Sequence, residues 1–103
     1  MSNEVIAEVD GSGAINIILP KTLDILGVDK LFGTLSEAVE VSTEIEIDSA
    51  EVERISTPSI QVLVVAADAV DLEGGTFKLK NPSTAVESAF RTLGLTKILA
   101  SWR

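Results

Sequence analysis

The chain has 103 residues, with 16 acidic and 8 basic side chains, a formal net charge of −8, and neither histidine nor cysteine. A length of this order suits one domain over residues 1–103, and 46% hydrophobic residues exclude a disordered acidic tail. The missing residue types exclude disulfides, thiol nucleophiles, zinc and iron–sulfur sites and imidazole acid/base chemistry, while the negative charge argues against phosphate-neutralising nucleic-acid binding and against anionic membrane surfaces.

At the start of the chain, Met1-Ser2-Asn3-Glu4 lacks the basic region and apolar core of a secretion signal. No apolar run approaches the length of a membrane span. The expectation is a cytoplasmic domain without direct membrane insertion, whose partners are proteins. Val5–Val9 alternates in part, Asp10-Gly11-Ser12-Gly13 is a turn signal, and Ala14–Leu19 is an apolar, β-branched run. Together they predict an N-terminal hairpin. Gly11 and Gly13 lie between strands with no Lys-Ser/Thr after them, so they are turn residues and not a phosphate loop.

Pro20 ends the second strand, because proline donates no ladder hydrogen bond. Thr22–Leu26 reads as a short turn of its own. Beyond Gly27, the residues Val28, Leu31, Phe32, Leu35 and Val39 recur at helical spacing and predict an amphipathic helix. Thr43–Ile47 alternates Glu44 and Glu46 with Ile45 and Ile47, a strand that runs into a loop at Asp48-Ser49-Ala50. Glu44, Glu46 and Asp48 share one face, which reads as solvated and not as a metal site.

The run Ile60–Val70 is β-branched enough for a buried strand, but its length and punctuation say helix. Ser56-Thr57-Pro58 supplies a hydroxyl cap at Thr57 with proline at the first helical position, and Gly74-Gly75 supplies the stop. Ile60, Leu63, Val64, Ala67 and Val70 form its inner face. Asp68, Asp71 and Glu73 trail toward the C-terminal end, where the dipole disfavours negative charge. Solvation or a basic partner accounts for them.

Thr76–Lys80 alternates as a strand, with Phe77 and Leu79 inward. Ser83 caps a last helix whose core positions are Val86, Ala89, Phe90 and Leu93, closed by Gly94. Leu95–Trp102 is an apolar tail expected to pack back, with Trp102 covering the edge of the core. The order β-β-α-β-α-β-α predicts an α/β fold in which a mixed, mostly parallel four-stranded sheet follows an initial hairpin and is packed by helices.

The stretch Ile47-Asp48-Ser49-Ala50-Glu51-Val52-Glu53-Arg54-Ile55-Ser56-Thr57-Pro58-Ser59-Ile60-Gln61-Val62-Leu63 resembles the central motif of STAS domains, the anti-sigma-factor antagonist fold also found on sulfate transporters. Asp48 matches the strand-end acid, Val52 the buried valine, and Thr57 the phosphoacceptor, while Ile60, Val62 and Leu63 match the start of the helix. Ser56 stands where the family carries an acid, Pro58 follows the phosphoacceptor, and Ser59 replaces the usual glycine. The Thr-Pro-x-x-Gln-Val-Leu pattern resembles stand-alone STAS proteins found with chemotaxis genes or with phospholipid-transport ATPases.

The resemblance implies a STAS-like fold and a bacterial signalling domain without catalysis, cofactor or metal. Its partner would be a serine/threonine or histidine kinase, an anti-sigma-like factor or a chemotaxis component, with a transporter ATPase as the alternative. The implied surface comprises Asp48, Ser56, Thr57, Ser59, Ile60, Gln61 and Val64. Thr57 carries two readings, a helix cap and a phosphoacceptor. A phosphate there would add about −1.5 to −2 charge at the positive end of a helix.

Overall fold

In the computed structural model, which describes residues 4–103, the turn Asp10–Ala14 joins strands β1 (Ile6–Val9) and β2 (Ile15–Ile18) into the expected hairpin. One Asp10 carboxylate oxygen accepts from the Ser12 hydroxyl at 2.6 Å, from the Ser12 amide at 2.8 Å and from the Ala14 amide at 3.2 Å. Gly13 takes a φ of 91°, which glycine adopts without a Cβ clash. These bonds, the Ser12 hydroxyl first, hold the Asp10 carboxyl below its usual value of 3.8.

Strand β4 (Glu44–Asp48) lies parallel to β2, and β6 (Thr76–Lys80) lies parallel to β4, giving the sheet order β1-β2-β4-β6. Ile15, Ile17, Ile45, Ile47, Phe77 and Leu79 are buried on one face. The opposite face is mostly polar: the row Glu8, Asn16, Glu46 and Lys78 runs across it, beside the paired Ile6 and Ile18. Lys80 and Glu46 form a 3.6 Å ion pair on this face. Both ends remain in water, so the pair adds little to stability. The residues therefore split by their period of two into a core side and a wet side.

Helix α1 (Val28–Val41) connects β2 to β4, and α2 (Thr57–Leu72) connects β4 to β6. α1 buries Leu31, Leu35 and Ala38. Phe32, expected on that inner face, is 54% exposed. The stripe that reaches the sheet runs through positions 31, 35 and 38, and Phe32 is turned about 100° away from Leu31. α2 buries Ser59, Ile60, Leu63, Ala66, Ala67 and Val70. It ends at Gly74, whose φ is 73°. At Gly75 a Cβ would collide with the Thr43 backbone, so the entry to β6 needs glycine.

Two short elements had no periodicity to betray them. β3 (Thr22–Leu23) and β5 (Arg54–Ile55) pair in parallel as a separate two-stranded sheet. A single 3-10 turn, Ile25–Gly27, follows β3 and is capped by the Asp24 carboxylate, which accepts from the Gly27 amide at 3.1 Å.

After β6, Ser83 caps α3 (Thr84–Thr92) as expected, its hydroxyl accepting from the Val86 amide at 3.2 Å. Val86 and Phe90 are buried, but Leu93 is exposed because it falls at the C-cap, past the inward-facing turn. The apolar tail is itself a helix, α4 (Thr96–Ser101). Trp102 then folds under it and meets Phe77 and Phe90 edge-on, with ring centroids 5.0 and 5.6 Å apart. Its carbonyl accepts from the Leu79 amide at 2.8 Å, so the C-terminus covers part of the outer edge of β6. Setting aside β3, β5 and α4, the order is the expected one, and the fold is α/β with a mostly parallel four-stranded sheet.

Candidate functional site

The first turn of α2 is tied down by two serines. Ser56 is extended, with φ −82° and ψ 156°, which is the backbone an N-cap requires. Its amide donates to the Leu23 carbonyl at 2.7 Å, and its carbonyl accepts the first intrahelical bond, from Ile60 at 3.1 Å. The Ser56 hydroxyl oxygen accepts from the Ser59 amide at 3.3 Å.

The two serine hydroxyls lie 2.8 Å apart, and Ser59 donates its own proton to the Leu23 carbonyl at 3.3 Å. Ser56 must therefore be the donor of the bond between them. Each hydroxyl is fully employed, and Ser59 is wholly buried. In this way β3 is clamped to the start of α2 through one carbonyl.

This geometry corrects the cap assignment. Ser56, and not Thr57, is the N-cap; Thr57 is the first helical residue, and Pro58 takes the second position, where its missing N–H is again harmless. Thr57 is exposed, and its hydroxyl makes no hydrogen bond to the protein. Of the three hydroxyls in this turn, it alone has no structural task.

The rest of the expected patch divides by depth. Gln61 is exposed one turn beyond Thr57 on the same side of the helix, and Val64 is half-buried. Ser59 and Ile60 do not belong to a contact surface: they are 0% and 1% exposed, because their positions face β3 and the core. They set the height and pitch of the turn from beneath. Asp48 is the last residue of β4, between β2 and β6. Its carboxylate accepts from the Ala50 amide at 3.0 Å and its carbonyl from the Leu19 amide at 3.0 Å, so it shapes the loop that carries the chain to β5. Buried Val52 anchors that loop.

Other exposed residues, which periodicity did not reveal, follow the clamp. Leu23 bonds the start of α2, and two and three positions after it Ile25 and Leu26 of the 3-10 turn are 64% and 89% exposed. The sequence signal was the spacing itself. A single turn between a two-residue strand and Gly27 is too short to bring either side chain back to the core. Val65, one turn past Gln61, is exposed as well.

Among the described residues, no group of three or more carboxylates is placed to hold a metal ion. No helix among them is long and apolar enough to cross a membrane.

A family model described as "Mlab, STAS domain" matches residues 10–100. The chain is similar in structure to the anti-sigma factor antagonist SpoIIAA in its unphosphorylated form, with a TM-score of 0.79 and 20% identity over 91% of this chain and 84% of that one. It is similar to the Bacillus cell fate determinant SpoIIAA in the phosphorylated form, with a TM-score of 0.78 and 19% identity over 96% and 87%. An anti-sigma-factor antagonist (STAS) domain protein from Planctomyces limnophilus gives a TM-score of 0.75 and 17% identity over 89% and 82%. At such identities the likeness is one of fold. No curated protein matches the sequence.

Proposed function

Since the chain belongs to the STAS domain family, we propose that it is a non-enzymatic signalling domain that binds a regulatory protein through the N-terminal end of α2. The observation that carries this reading is the Thr57 hydroxyl, exposed and unbonded while Ser56 does the capping. Thr57, Gln61 and the edge of Val64 form the centre of the contact, with Ile25 and Leu26 as its apolar flank and Asp48 shaping the adjoining loop. The partner is a serine/threonine or histidine kinase, an anti-sigma-like factor or a chemotaxis component, and the whole chain acts as one domain.

Phosphorylation of Thr57 is the switch in this proposal. The phosphate would sit at the positive end of α2, so the fold accommodates it. A partner seated on the same turn would meet a dianion on a surface that is already acidic, and like-charge contact costs several kcal/mol. The switch acts on binding and leaves folding alone. The two solved forms of SpoIIAA, unphosphorylated and phosphorylated, support a fold able to carry such a group.

The test is affinity capture with wild-type, Thr57→Ala and Thr57→Asp proteins. Wild-type and Thr57→Ala should retain a kinase, anti-sigma-like factor or chemotaxis protein, and Thr57→Asp should lose at least about tenfold in affinity for it. Equal affinity of all three would remove Thr57 from the contact. Retention of an ATP-binding cassette ATPase would instead favour the alternative, a STAS subunit of a phospholipid-transport complex.

A further inference from the structure

The C-terminal half of α2 carries Asp68 and Asp71, and neither has an ion-pair partner among the described residues. Both line an open cleft between α2, β6 and α4, together with Val64, Phe77, Ile98 and Trp102. Asp68 and Asp71 are three residues apart, so they stand on one face of the helix. They also lie toward its negative end, in a chain whose net charge is already −8. Such a pair, unneutralised by the protein itself, selects a cation.

Trp102 supplies a second and independent requirement. It is only 6% exposed, and its indole N–H donates to no atom of the protein. No buried side-chain nitrogen is left without a partner among the described residues, so this N–H is open to solvent. Trp102 lines the same cleft as the two carboxylates. A ligand acceptor can take the place of water on its indole N–H.

The main chain of β6 adds a third. β6 is an edge strand, and Thr76 uses its amide toward the β4 side, donating to the Thr43 carbonyl at 2.7 Å. Alternation turns the amides and carbonyls of Phe77 and Leu79 to the open side. Leu79 is satisfied there by the Trp102 carbonyl, whereas Phe77, at the cleft, has no main-chain partner on that side.

A cation, an acceptor and a main chain ready to pair are what an extended basic segment offers. We propose that this cleft binds an extended, arginine- or lysine-containing segment of a partner protein. Its main chain pairs with Phe77 on the free edge of β6, and one of its carbonyls accepts from the Trp102 indole. Its basic side chain lays its methylenes against Val64 and Ile98 and brings its charge to Asp68 and Asp71. Asp68 lies about 17 Å along α2 from Thr57, so this surface is separate from the one proposed above and can be occupied with it.

Trp102 is the chain's one tryptophan, so its fluorescence reads this cleft directly. The probe is the pentapeptide acetyl-Val-Arg-Val-Arg-Val-amide, titrated into the full chain at low salt. The expected result is a saturable change in Trp102 emission and a shift of the Phe77 amide resonance. Affinity should fall at least about tenfold in the isosteric double variant Asp68→Asn/Asp71→Asn, and should be unchanged in Thr57→Asp. The peptide with glutamate in place of arginine should not bind. The proposal is overturned if no saturable change occurs up to millimolar peptide, or if the double variant binds as tightly as wild type. Equal affinity for acetyl-arginine-amide alone would also overturn it, because the edge of β6 would then contribute nothing.

Discussion

The two halves of α2 are held in the fold by different forces and offer opposite electrostatics. At the N-terminal end, polar bonds do the holding: Ser56 and Ser59 converge on one Leu23 carbonyl. The exposed Thr57, Gln61, Ile25 and Leu26 carry no charge. In the C-terminal half, packing does the holding, through the buried Ala66, Ala67 and Val70, with the cluster of Phe77, Phe90 and Trp102 across the cleft. Above that packing stand two carboxylates with no counter-ion. The contrast teaches that one helix can present two unlike surfaces, its own hydroxyl and amide groups where its dipole welcomes negative charge and its own carboxylates where the dipole opposes them.

The largest test of that contrast removes the aromatic support. Trp102→Ala should lower stability by about 3–5 kcal/mol, the range for deleting a large buried aromatic. Chemical denaturation measures it. A loss under about 1 kcal/mol would show that the aromatic cluster does not support this side of the core.

A middle-sized effect distinguishes the neighbouring hydroxyls at the other end. Ser56→Ala should cost about 1 kcal/mol for the lost cap, and more if the Ser59 hydroxyl is left without its donor. Thr57→Ala should stay within about 0.5 kcal/mol of wild type. Equal losses in the two variants would return the capping role to Thr57.

The smallest effect has the opposite sign. Asp68→Asn should raise stability by a few tenths of a kcal/mol, since it relieves a negative charge near the negative helix end, and the gain should shrink as salt rises. Thermal melts at two ionic strengths read it. Destabilisation by this isosteric change would mean that Asp68 has a structural partner.

Much of the fold was legible because it depends on local chemistry. Pro58 and Gly74-Gly75 bounded α2 despite its β-branched composition. Ser83 marked the start of α3, and the alternation of Phe77 and Leu79 with Lys78 and Lys80 marked β6 and its inner face. The resemblance to STAS domains pointed to the first turn of α2. The misassignments there have a common origin. Ser56, Thr57 and Ser59 are all hydroxyl residues of similar capping ability, and the choice among them rests on a carbonyl at Leu23, more than thirty positions earlier in the chain. The burial of Ser59 and Ile60 follows from the same contact, through a β3–β5 pairing too short to leave a periodic trace.

What the sequence determined by itself is the set of elements, the faces that hydrophobic spacing assigns to them, and the absence of imidazole and thiol chemistry. Each follows from backbone propensity, side-chain period or residue type, which need no distant partner. The tertiary structure decided which hydroxyl caps and which is free, that Phe32 and Leu93 face outward, and that Trp102 lines one cleft with Asp68 and Asp71. Those outcomes depend on groups far apart in the chain meeting across a packed interior, and only the folded arrangement of strands and helices sets such distances.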